Sequence, residues 1–86
     1  MSHSTINLDG NTYDVYVEVS PKRRDVNVEF EGHKVGGVIV MHDVKQAFAF
    51  TYGAEDAITT HTFPYKDATH MADSSLAIWV AGRQED

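Results

Sequence analysis

Between Thr12 and Glu31 the chain alternates apolar and polar residues in two consecutive runs. Val15, Val17 and Val19 interleave with Asp14, Tyr16 and Glu18. After the segment Pro21-Lys22-Arg23-Arg24, Val26, Val28 and Phe30 interleave with Asp25, Asn27, Glu29 and Glu31. Successive side chains on a strand point to opposite faces, so a period of two defines two strands with one buried and one solvated face. A hairpin of this kind needs a second layer over its apolar side, which restricts the fold to a sheet covered on one face.

Pairing Ser20 with Asp25 across a four-residue turn sets Val19 against Val26, Val17 against Val28 and Val15 against Phe30. All six then share one face, and a slip of one residue would separate them. The same register opposes Asp14 to Glu31 and Tyr16 to Glu29. Like charges directly across a ladder cost some tenths of a kcal/mol, within the ~0.2–1 kcal/mol range of such pairs. Arg23 and Arg24, in the turn, lie at the far end. Asp14, Tyr16, Glu18, Glu29 and Glu31 are therefore the candidate partner-binding residues, with Tyr16 as an aromatic anchor among carboxylates.

Elsewhere the chain continues in short strands. Thr5–Leu8 leads into Asp9-Gly10-Asn11, a turn triplet whose Gly and Asn tolerate positive φ. Glu31-Gly32-His33-Lys34 reads as another turn, followed by a strand over 35–42 with a bulge or close approach at Gly36-Gly37. Residues 43–53 admit a capped helix or a strand. The alternation of Ala47 and Ala49 with Phe48, Phe50 and Tyr52 favours the strand. The Thr-rich stretch 57–63 reads as a further strand, ended by Pro64. Asp67 as N-cap and Gly82 as C′ residue frame a single amphipathic helix about 22 Å long. Its apolar arc is Ala68, Met71, Ala72, Leu76, Ile78, Trp79 and Val80, and its polar wedge His70, Asp73 and Ser74.

These elements predict an α+β fold in one domain, 1–86: an antiparallel sheet of four to six short strands with one C-terminal helix packed on one face. Residues 1–4 and 84–86 are expected to be frayed. The expected core is Val15, Val17, Val19, Val26, Val28, Phe30, Ile39, Met41, Phe48, Phe50, Leu76, Trp79 and Val80. With 86 residues and no cysteine, that core has no disulfide or thiolate metal site to support it.

The formal net charge is −6, from seven basic and thirteen acidic side chains. Phosphate backbones and anionic membranes both demand clustered Lys and Arg, so neither direct nucleic-acid nor membrane binding is expected. No apolar run approaches the ~20 residues of a membrane span, and Met-Ser-His-Ser-Thr does not read as a signal peptide. A cytoplasmic location is expected.

Chemistry is thinly represented. His42, His61 and His70 with Asp73 are candidates for a metal site, but no pair has a sharp ligand spacing such as His-x-x-x-His. Ser74 and Ser75 lack a nucleophile elbow around them. The Gly36-Gly37 pair opens neither a phosphate loop nor a helix. No enzyme activity and no cofactor are expected. The functional expectation is a small non-catalytic protein-binding domain whose acidic sheet face engages a basic partner. In its sharper form it inhibits a nucleic-acid-binding protein, as phage or mobile-element proteins do. The alternative is a histidine-based metal-binding or small-ligand-binding homodimeric module. The stretch 57–63, whose only ionisable residue is His61, is an edge at which a homodimer could form.

Overall fold

The computed structural model describes residues 2–83, without the side chain of Asp56. Six strands, β1 (Ser2–Leu8), β2 (Asn11–Ser20), β3 (Arg23–Phe30), β4 (His33–Met41), β5 (Gln46–Tyr52) and β6 (Ile58–Phe63), precede two helices, α1 (Tyr65–His70) and α2 (Asp73–Ala81). Each strand pairs antiparallel with its neighbour in sequence, leaving β1 and β6 as the edges. This is the α+β architecture expected, with α2 packed on one face of the sheet. The strand reading of the segment before Gly53 holds. Residues 2–4, expected to fray, instead extend β1 and pair with β2, Ser2 with Val17 and His3 with Tyr16. Residue 1 and residues 84–86 lie outside the described residues.

Turn chemistry explains most of the pairing. Asp9 and Gly10 take φ of 52° and 82°, and Glu31 and Gly32 take 51° and 82°. Positive φ at both central residues is the two-residue turn whose twist matches a hairpin. Glu31 therefore sits in a turn, not on the acidic strand face where the sequence placed it. The turn between β2 and β3 is shorter than expected. Ser20 pairs with Arg23, leaving only Pro21 and Lys22 between the strands. The register consequently differs by two residues: Val17 faces Val26, Val15 faces Val28, Asp14 faces Glu29, Glu18 faces Asp25 and Tyr16 faces Asn27. An even shift preserves the faces, so the valines still share one side.

That side carries the core. Val15, Val26, Val28, Val38, Val40, Leu76 and Val80 are fully buried, joined by Ile6, Tyr13, Val35 and Phe63 and by a set of alanines, Ala47, Ala49, Ala68, Ala77 and Ala81. The alanines and Gly36 let α2 approach the sheet closely: a Cβ on Gly36 would stand 2.8 Å from Val80 Cγ1. Four residues assigned to the core from sequence, Ile39, Met41, Phe48 and Phe50, are half-buried on the opposite face of β4 and β5. Val19 is 71% exposed at the end of β2. Phe30 and Trp79 are partly buried against the core.

The expected single helix is broken. Met71 and Ala72 are extended (ψ 139° and 157°), although both residue types favour helix. A tertiary contact sits at the break. Arg24 projects from β3 on the helix side and its Nη2 donates to the carbonyls of Ala68 (2.7 Å) and Met71 (3.3 Å), while Nη1 lies 3.3 Å from Asp73 Oδ1. In an unbroken helix those carbonyls would accept from residues four positions on. The guanidinium takes their place, with the Met71 N–H as a second donor to the Ala68 carbonyl at 3.3 Å, and ties the corner to the sheet.

Candidate functional site

The face of the sheet turned away from α2 is uncovered, and its residues can be read row by row because directly paired residues share a face. The middle row crosses all six strands: His3, Tyr16, Asn27, Gly37, Phe50 and Thr60. The next row runs Glu18, Asp25, Ile39, Phe48 and Thr62. Beyond it Ser20, Arg23, Met41 and Gln46 complete the end of the sheet. On the other side Asp14 pairs with Glu29, and Glu29 with Lys34 across the bulge. The result is a face in two halves. Acid lies on β2 and β3, and large apolar side chains lie on β4 and β5.

The acidic half is partly compensated from within. His3 Nε2 is 3.0 Å from Asp14 Oδ1, and its ring stacks on Tyr16 at 4.6 Å and 11°. Tyr16 is thus half-covered by a neighbouring strand, not ringed by carboxylates. Arg23 Nε donates to Asp25 Oδ1 at 2.8 Å. That bond and the charge of Asp25, with Glu18 adding a smaller contribution, raise the Arg23 pKa above its ordinary value. Arg23, placed by the sequence too far away to act, therefore sits against the acidic strip. At the turn end a shallow depression of about 280 Å³ is lined by Glu18, Val19, Ser20, Arg23 and Asp25. Its size falls below the ~300–1,000 Å³ of ordinary ligand pockets, so it suits one side-chain head group better than a whole small molecule.

The apolar half was missed by sequence reasoning. Phe50 leans over Gly37, its Cζ 3.0 Å from where a Cβ would stand, and packs on Tyr52 with ring centroids 5.7 Å apart. Ile58, paired with Tyr52 at the β6 edge, is 61% exposed. The signal was present in β5: Ala47 and Ala49 alternate with Phe48 and Phe50, and alanines on the helix require the small side of the strand to face it.

The four candidate metal ligands do not converge. His42 Nδ1 is 2.8 Å from Tyr65 Oη, and His61 Nε2 is 3.3 Å from Thr51 Oγ1 with its ring edge-on to Trp79 at 5.4 Å. His70 Nδ1 donates to the Lys66 carbonyl at 2.8 Å, and Asp73 pairs with Arg24. Among the described residues no group of three or more His, Asp or Glu side chains is placed to hold a metal ion. No helix among them is long and apolar enough to cross a membrane. Comparison with protein-family models, with curated proteins and with solved structures gives no match.

Proposed function

We propose that this chain is a non-catalytic protein-binding domain, working in the cytoplasm without a cofactor, whose uncovered sheet face engages a basic surface of another protein. The observation that supports it most is the pair of like-charge oppositions in the β2–β3 ladder, Asp14 with Glu29 and Glu18 with Asp25. Such oppositions are unfavourable in themselves. His3 and Arg23 each bond to only one carboxylate of a pair, Asp14 and Asp25, so Glu18 and Glu29 are the carboxylates offered to a partner. Basic surfaces in cytoplasm belong mainly to nucleic-acid-binding proteins. Competition with nucleic acid by charge mimicry, as an inhibitor, is the sharper form of the proposal.

The partner would be identified by co-purification from the native host and its affinity measured for a Glu18→Lys/Glu29→Lys variant. Opposite-charge complementarity predicts roughly tenfold or greater weakening at low salt, with a flatter salt dependence. Glu31→Lys, in the turn, is expected to change little. A folded double variant with unchanged affinity would refute the role of the acidic strip.

A second reading, self-association, is favoured by β6. This edge carries no Lys, Arg, Asp or Glu, exposes Ile58, and turns its one histidine toward Thr51 and Trp79 on the helix side. Edges without charge pair readily with a second copy. Sedimentation is expected to show a mass rising with concentration from 9.6 kDa toward twice that value. Thr60→Lys should restore the monomer. A mass of 9.6 kDa at every concentration would exclude this reading.

A further inference from the structure

We infer that the occupant of the open face is a cationic amphipathic helix of the partner protein, lying along the strands over the boundary between β3 and β4. The inference rests on the protein-binding proposal and adds the partner's shape. Charge alone would call only for the acidic strands. This face also presents Ile39, Met41, Phe48 and Phe50 beside them, half-buried by one another and without a covering layer.

The two halves have helical dimensions. Strands lie about 4.8 Å apart, so the midline of the acidic pair β2–β3 and that of the apolar pair β4–β5 are separated by two spacings, about 10 Å. A helix is about 10–12 Å across. Its apolar stripe would rest on Phe48 and Phe50 while its basic flank reached Glu18, Asp25 and Glu29. The Phe50 ring lies over Gly37, so the apolar half reaches up to Asn27 at the boundary with β3. β5 has seven residues, spanning about 23 Å at ~3.3 Å each, which a helix of about 15 residues matches. An extended strand is a poorer fit here. The open face offers side chains and no free ladder, so a strand lying on it would leave its own backbone N–H and C=O groups unpaired over the apolar half.

The test uses two synthetic peptides of about 15 residues, of identical Leu and Lys composition. One is ordered to place leucine on one helical face, and the other is scrambled to abolish that face. Both are titrated into isotope-labelled protein at low salt and followed by NMR. The ordered peptide is expected to bind roughly tenfold or more tightly and to gain helicity. It should shift amides around Ile39, Phe48 and Phe50 as well as Glu18 and Asp25. Phe48→Thr should remove that advantage while leaving the scrambled peptide's binding unchanged. If this variant does not fold, Ile39→Thr carries the same expectation from the neighbouring strand. Equal binding of the two peptides, or shifts confined to β2–β3, would overturn the helical occupant and leave the charge-based proposal standing, whereas shifts confined to the uncharged β6 edge would overturn both. Failure of both peptides to bind would overturn the two together.

Discussion

Gly36→Ala is expected to destabilise the fold by roughly 2–6 kcal/mol, a large share of what an 86-residue domain has. Gly36 has φ of +157°, a conformation that side chains rarely adopt, and it follows Val35, the extra residue of the β3–β4 bulge. An added Cβ would stand 2.3 Å from the Phe50 carbonyl oxygen and 2.8 Å from Val80 Cγ1. The first contact is with backbone of the adjacent strand, which cannot move without disturbing the β4–β5 ladder, and the second is with the fully buried face of α2. Backbone strain of about 1–3 kcal/mol and overpacking of about 1–3 kcal/mol combine to roughly 2–6 kcal/mol. At about 0.05–0.15 kcal/mol per residue, an 86-residue domain has roughly 4–13 kcal/mol in total. Denaturant melts followed by circular dichroism measure the loss. Gly10→Ala is the control: its φ is +82°, but nothing lies within 4 Å of the new Cβ, so the cost should be about 1 kcal/mol. Equal melting of the two variants would mean that the bulge relaxes around the methyl group.

The same bulge marks how far the amino-acid sequence reaches. The paired glycines announced a close approach, and the alternation in β2 and β3 set which face each valine occupies. It did not set the register, because a shift of two residues preserves every face. The deciding feature was the turn, and Pro21 misleads there. Its ring forbids the positive φ that announces the other two-residue turns at Asp9-Gly10 and Glu31-Gly32. Hydrophobicity alone points the aromatic residues of β5 inward. Hydrophobicity does not say which of two faces meets a helix, whereas the size of Ala47 and Ala49 does. The candidate site was accordingly half legible. Its acidic strip could be read from local alternation, although Glu31 falls in a turn and Tyr16 lies under His3. Its apolar strip depended on how closely α2 docks, a contact between segments distant in sequence. The broken helix has the same origin, since Met71 and Ala72 carry no local instruction to stop.

Arg24→Ala tests that last point and is expected to cost about 3 kcal/mol. The side chain makes two hydrogen bonds to the carbonyls of Ala68 and Met71 and an ion pair with Asp73, and it is only 18% exposed. Charge-assisted bonds contribute about 1.5–3 kcal/mol each when one partner is removed, and a half-buried corner left without its cation keeps carbonyls that water reaches poorly. The ion pair is the smaller component. Asp73 is 41% exposed, so Asp73→Asn should cost under about 1 kcal/mol. Arg24→Lys should recover little, because one ammonium lacks the fork that spans two carbonyls and a carboxylate at once. The loss should also be local before it is global. Hydrogen exchange is expected to accelerate first in α1 and the start of α2, while β2 to β4 keep their protection. If Arg24→Ala melts with the parent and α1 exchanges no faster, the corner is held by the packing of Ala68 and Leu76 alone. The guanidinium would then be a passenger in a break that another contact imposes.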